Sequence, residues 1–560
     1  MHSRLGVWMV MVTATRLAQA AAPSLTVWEE EPWRLFDPAA VVNEKAAPEK
    51  IGITSYINER VPVALMLANR SDRPLDVRVA IGAGLDRHAP SEPSADQIPP
   101  EKIELREVVV VRARDSDGAE RFIPDALPRL NEAGVIHIAP HEARQLWINI
   151  NTAEMKAGKY SEQLMLFSSA PGEPMKISLD LHVLSLELPQ RPSISAAMWE
   201  YEPWVIGRNG QAVVQDITRN GKVDHLFLDI ASGGLPWGKR LGSIKKTGWS
   251  AGQIDFSLMN QVIQRKKGHG KLILLNTAAG FHEQVMSLDE AKGRELYLQW
   301  VRACLDNMRA QGIPDDQVML QVKDEASGEW SARNLLLTRM FKEQMPTVPI
   351  FQTVGADTAF EDIRQLGGYV DVWCVWGLRI KRRDELNFMK ATDKPVWVYQ
   401  CAVSSKVLSP SGYFRATPLI AWREGLQGCG IWSYDAGSGN LWNDFDGKHG
   451  DSATVYPGAN GPVTSKRWEA WRRGMEDYSA LELLRTLVDR AAERPDCAAA
   501  VRKGKDLMVD GVAKLFDSPV AFVDFGLDAL DPAWAGKVAQ LRKDIADISV
   551  DLKSRLDADR

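Results

Sequence analysis

The chain has 560 residues, with 68 Lys and Arg against 73 Asp and Glu, giving a formal net charge of −5. That length exceeds the roughly 250–300 residues at which a single core stops growing, so two or three domains are expected. Charges of both signs are interspersed without a basic stripe, which argues against nucleic-acid binding, and no apolar run reaches the roughly 18 residues of a membrane span.

At the start, His2 and Arg4 precede an apolar run from Leu5 to Val12, and Ala18-Gln19-Ala20 offers a small-x-small cleavage site. Residues 1–20 are therefore expected to be a signal peptide, and the protein to be secreted or periplasmic. No Cys follows the apolar run, which argues against a lipid anchor. The five cysteines are widely spaced without a CxxC, so zinc and redox motifs are not expected.

Residues 21–190 alternate apolar and polar with period two, most strictly over Ile177–Val183. Val63–Arg70, Asp76–Ala83, Lys102–Arg112, Gln145–Ile150 and Tyr160–Ser168 are similar, and Gly, Pro, Asp and Asn separate them at hairpin spacing. This predicts an antiparallel β-sandwich with one face of each sheet buried. Leu188–Pro192 ends it like a linker.

The pattern then changes over 191–463. Short apolar strands alternate with amphipathic helices, the signature of a parallel sheet. The strands read as Ile194–Met198, His225–Ile230, Lys271–Asn276, Val318–Lys323, Pro349–Val354, Val370–Trp376, Val396–Cys401 and Gly430–Tyr434. Between the third and fourth, Ser287-Leu288-Asp289-Glu290 is expected to open a helix as a capping box. Eight such units predict a (β/α)₈ barrel. A doubly wound open sheet is the rival, but no GxGxxG follows the first strand. Beyond a loop rich in Gly, Asp and Asn, residues 464–560 read as helical. Within that loop, Asp444–Asp451 resembles a calcium site only loosely and lacks the closing Glu of an EF-hand, so it reads as a turn loop.

The most informative residues are Asp324 and Glu325, at the end of the fourth strand. In a (β/α)₈ barrel the active site lies at the C-terminal ends of the strands. Side-chain alternation puts Gln321, Lys323 and Glu325 on the inward face, with Glu325 at the mouth. Two adjacent carboxylates there suit general acid–base chemistry of the kind that cleaves glycosides, whereas an Asp-Glu dipeptide elsewhere is usually a solvated loop. Of the 19 tryptophans, several stand at strand ends, and their flat rings match the apolar faces of sugars. Trp376, Trp397 with Tyr399, and Trp432 with Tyr434 are expected to line a sugar pocket, although two or three of the strand-end tryptophans should be structural. Asn276 would either bind a sugar hydroxyl or cap the following loop. The seventh strand ends Tyr399-Gln400-Cys401 without a carboxylate, leaving Glu200 and Asp435 as the nearby candidates for a conventional nucleophile.

Residues 25 to 485 resemble glycoside hydrolase family 123 and related barrel proteins. The resemblance rests on Asp324-Glu325, Lys394–Tyr399, Ala421-Trp422 through Gly430-Ile431-Trp432, Tyr456-Pro457-Gly458, and Ser465-Lys466-Arg467 through Gly474–Tyr478, in that order. It implies a β-sandwich followed by a (β/α)₈ barrel, and an exo-acting β-N-acetylgalactosaminidase without cofactor. In such an enzyme the substrate's own acetamido oxygen is the nucleophile. By motif, Asp324 would orient the acetamide and Glu325 would be the acid/base. Ala326, where Pro is expected, and Lys323 depart from the pattern. The implied partner is a carbohydrate with a terminal β-linked N-acetylhexosamine. A glycosidase on another sugar with two conventional carboxylates, or a non-catalytic carbohydrate-binding protein, remains the alternative.

Overall fold

In the computed structural model, residues 24–39, 47–82, 96–201, 207–229, 254–447, 449–517 and 534–558 are described. The expected signal peptide lies outside them.

Ten strands between Leu25 and Glu187 form two five-stranded sheets. Alternation delivers the predicted burial. In Met175–Glu187, Ile177, Leu179, Leu181 and Val183 face inward, and they meet Leu65, Leu67, Leu146 and Ile148 of the opposite sheet in one core. Pairing is antiparallel with one exception: Lys50–Ile57 runs parallel to Met175–Glu187. More than a hundred residues separate those two strands, so no hairpin fixes their relative direction, and alternation does not encode it.

Eight parallel strands follow, each within a few residues of its predicted span. In chain order they are Ser195–Met198, His225–Asp229, Lys271–Leu275, Val318–Leu320, Phe351–Val354, Val372–Trp376, Val396–Cys401 and Gly428–Trp432. They form one sheet curled into a near-barrel. The first strand pairs with both the second and the eighth, whereas strands four and five meet through a single bridge, Leu320 to Ile350. Helices cover the outside. The longest between strands is Ala291–Ala310, which starts after the expected capping box rather than at it. Gly293 packs so closely on the Ser287 carbonyl that a side chain there would collide, and the Arg294 guanidinium takes the Leu288 and Asp289 carbonyls instead.

Inside the ring, alternation again sorts residues. Ala197, Trp199, Phe227, Ile273, Leu275, Met319, Phe351, Cys374, Trp397 and Tyr399 form the inner cluster, and their chain neighbours pack outward on helices. Strand eight contributes two glycines to this interior. A Cβ on Gly428 would lie 2.3 Å from the Trp397 indole, and one on Gly430 would lie 2.7 Å from the Ala197 carbonyl and 3.0 Å from Trp199.

The helix Lys466–Arg490 ties the parts together. Ser465 Oγ caps it by accepting from the Trp468 amide at 3.0 Å. Almost every residue of its first four turns is buried, charged ones included. Asp125 and Glu59 of the sandwich pair with its Arg467 and Arg473. Asp477 pairs with Arg415 and with Arg542 of the last helix, Trp534–Asp557.

Candidate active site

Strand four is three residues shorter than expected. Had the strand continued, alternation would have turned Asp324 away from Glu325. Instead the chain leaves the sheet after Leu320 and turns, with Glu325 at φ 44°, in the left-handed region that a non-glycine residue rarely adopts. Such backbone costs roughly 1–3 kcal/mol and gathers at functional sites. Gly355 makes the turn possible, because a Cβ there would sit 2.5 Å from the Glu325 carboxyl.

The turn brings both acids to one hydroxyl. Thr353, inward-facing on strand five, donates from Oγ1 to Asp324 Oδ1 at 2.8 Å and accepts from the Glu325 amide at 2.9 Å. Gln321 Nε2 donates to Asp324 Oδ1 at 3.0 Å and to Thr353 Oγ1 at 3.1 Å. Side-chain bonds thus close the seam where the strand four–five ladder has ended. Tyr399 donates its hydroxyl to Glu325 Oε1. Burial raises the Asp324 carboxyl above its ordinary value, opposed by Thr353, Lys323 and Gln321. Burial also raises Glu325, opposed by Tyr399 and reinforced by the charge of Asp324. An acid that keeps its proton beside a second carboxylate is what general acid catalysis uses.

The other expected residues separate. Asn276 joins the site: its Oδ1 accepts from the Asp324 amide at 3.2 Å, and it makes no side-chain cap bond to the helix that follows. Trp376 and Trp432 are partly buried on the inner cluster near Tyr399, and Trp432 Nε1 donates to the Tyr201 hydroxyl at 2.9 Å. Trp397 faces inward but lower. Its register partners are Cys374 and Gly428, and its ring packs edge-on against His225 and Phe351, with 3% exposure. It is core filling below the site, not part of the surface around the carboxylates. Tyr434 also departs from expectation. Strand eight ends at Trp432 and the chain turns, so Tyr434 points outward, bonding Asp216 at 2.7 Å and packing on Trp468.

Glu200 lies behind the ring wall. It is buried, ion-paired with Lys266 at 2.5 Å and held by the Phe227 amide, and burial moves its carboxyl up to about 7 despite the lysine. Asp435 accepts from the Tyr201 amide at 3.0 Å. Asp229, at the end of strand two on the face of Phe227, went unsuspected because it was read as an interior strand residue; its charge and those of Asp324 and Asp435 reach Tyr201. At the rim, the buried Lys406 ammonium pairs with Asp444 and Asp451 of the loop that loosely resembles a calcium site. Among the described residues no cluster of His, Cys, Asp and Glu could hold a metal, and no helix is long and apolar enough to cross a membrane.

A sandwich followed by a ring of parallel strands, with a raised carboxyl and a second carboxylate at the mouth after strand four, is an arrangement suited to glycoside hydrolysis. Residues 249–484 match the model of the glycoside hydrolase 123 catalytic domain. Among solved structures, the chain is similar to a family 123 glycoside hydrolase from Clostridium perfringens, whose structure is described for glycolipid glycan hydrolysis. The TM-score is 0.71 at 12% identity, covering 96% of this chain and 100% of that one. A weaker likeness joins 52% of the chain to 77% of an endo-β-1,4-mannanase from Thermotoga petrophila, at TM-score 0.36 and 12% identity. No curated protein matches the chain in sequence.

Proposed function

We propose that the protein is an exo-acting β-N-acetylgalactosaminidase that retains anomeric configuration through substrate assistance. The observation that carries this reading is the anchoring of Asp324 and Glu325 on the one Thr353 hydroxyl, in a ring whose seventh strand ends in Cys401 instead of a carboxylate. With no carboxylate at the end of strand seven, the acetamido oxygen of the substrate attacks C1. The glycosidic C–O bond breaks and the leaving oxygen takes the Glu325 proton. Asp324 accepts the acetamide N–H and balances the positive charge growing on the oxazolinium ring. Water then attacks C1 while Glu325 takes its proton, and the ring reopens to the acetamide. Two inversions give retention. Electrostatic help aimed at a developing charge is usually the largest catalytic term.

Tyr399, Trp376, Trp432 and Asn276 are proposed to line the sugar pocket. Trp376 Nε1 is buried without a protein partner among the described residues, so it is a donor that a sugar hydroxyl would satisfy. The second carboxylate of the conventional alternative would be Asp229 or Asp435, since Glu200 is committed to Lys266. A panel of aryl glycosides decides. Acetamido substrates should be cleaved with retention, plain β-galactosides should not, and a thiazoline mimic of the cyclised sugar should inhibit. Efficient cleavage of β-galactosides, or a fluorosugar trapped on Asp229 or Asp435, would sink the reading. The terminus motif further supports secretion or a periplasmic location, which fractionation of the expressed protein would check.

A further inference from the structure

We propose that Thr353 and Gln321 are positioning residues that hold Asp324 as the anion and leave the transferable proton on Glu325. This rests on the catalytic pairing above and follows from counting protons. The Asn276 amide donates to Gln321 Oε1 at 3.0 Å, which fixes the Gln321 side chain with its NH₂ toward the acids. One Nε2 proton then goes to Asp324 Oδ1 and the other to Thr353 Oγ1. Thr353 Oγ1 already accepts from Gln321 and from the Glu325 amide, so its own single proton points to Asp324 Oδ1. Asp324 Oδ1 therefore receives two donors, an arrangement that favours the charged form of a carboxylate. The Asp324 backbone is held in turn by Asn276. Among the described residues Glu325 has no such pair, and Tyr399 gives it one donor.

The described surroundings do not supply this asymmetry. Lys323 and Glu325 face Asp324 from its own loop. Tyr399 and Cys401 of strand seven, Cys374 of strand six and Tyr201 after strand one also face it, each a group pushed toward its neutral form by burial. Asp357, after strand five, faces Glu325. Lys323 is the one cation in this set, and its ammonium donates to the Asp324 backbone carbonyl at 2.8 Å. Burial works against the Asp324 anion, and the Thr353 hydroxyl is the first of the groups opposing it.

Thr353→Val keeps the shape and removes the donor, whereas Thr353→Ser keeps the donor. With an activated aryl N-acetyl-β-galactosaminide, Thr353→Val should move the acidic limb of the kcat/KM profile up by about one pH unit, tenfold in ionisation constant. It should also lower kcat roughly tenfold or more with little change in KM, as loss of a transition-state contact does. Thr353→Ser should return the limb. If Thr353→Val does not fold, Gln321→Met removes the other donor and should move the limb the same way. A uniform loss of rate with the limb unmoved would overturn the proposal. A second readout is independent of the substrate. With ¹³C-carboxyl-labelled aspartate, the Asp324 resonance, assigned by its loss in Asp324→Asn, should titrate higher in Thr353→Val. That shift would support the inference even if no acetamido sugar is cleaved and the proposed function fails; coincident titrations would overturn it.

Discussion

The barrel mouth and the junction between sandwich, barrel and terminal helices handle the same side chains in opposite ways. At the junction, Glu59, Glu469 and Asp477 are almost fully buried, yet all sit below the ordinary carboxyl range. Burial pushes each up, and arginines more than reverse it: Arg473 and Arg542 for Glu59, Arg472, Arg60 and Arg106 for Glu469, Arg415, Arg542 and Arg473 for Asp477. At the mouth, Asp324 and Glu325 are less buried, yet both rise. Among these five carboxylates, clusters of arginines separate the fixed anions of the junction from the acids of the mouth; a single lysine does not suffice, as Glu200 shows. Removing charge should therefore be ruinous to stability at one place and to chemistry at the other.

The largest effect is expected at the mouth. Glu325→Gln should lower turnover of an alkyl N-acetyl-β-galactosaminide by about 10²–10⁴-fold, the usual worth of a general acid. Its melting temperature should stay near that of the parent. A variant that turns over alkyl substrates normally would remove Glu325 from the reaction.

The junction should answer differently. Glu59→Gln leaves Arg473 with Glu476 alone and Arg542 with Asp477 alone, and breaking a buried pair typically costs about 3–5 kcal/mol. Denaturant unfolding should show that loss, with kcat of the folded fraction unchanged. Acid should mimic it. Glu469 is held at about 2 against an ordinary 4.5, so its contribution is fully present above about pH 4.5 and disappears as pH falls toward 2. A melting temperature flat between pH 5 and 2 would contradict the arginine account.

The smallest effect has the opposite sign. A carboxyl raised in the folded state costs stability once pH passes its ordinary value. Asp324→Asn should then raise the melting temperature at pH 7, by roughly 1–3 °C for a chain this long. The gain should vanish below about pH 4, where the native acid is neutral as well. A melting temperature lowered at pH 7 would mean that Asp324 is a structural anion like those of the junction.

Much of the fold was legible because each barrel strand is a short apolar run bounded by turn residues, and because alternation sorts inward from outward side chains. Alternation gives the face of a residue but not its height. Trp397 and Tyr399 share a face, yet only Tyr399 is level with Trp376 near the mouth. Tyr434 was misplaced because strand eight begins and ends two residues early. Alternation places Gln321 on the inward face but gives it no partner, and Thr353 and Gly355 carried no signal of their own, since their importance lies in where strand five stands against the turn at Glu325. The acid pair itself was readable, but the reason both members face the mouth was not. A strand that stopped early, and not one that continued, makes them neighbours.

The two inward glycines of strand eight have a consequence for how this pocket can change. They make that strand the thin wall of the ring, and the Trp199 indole leans into the space that Gly430 yields. Trp199 in turn lies 5.5 Å from the Tyr399 ring that holds Glu325. The floor under the acid is therefore set by backbone on one side. It cannot be raised in small increments, because the first methyl group at Gly430 already meets a carbonyl oxygen and displaces the indole. Variation in the depth of the cup has to come from the other staves, and strand eight is the fixed reference against which they are measured.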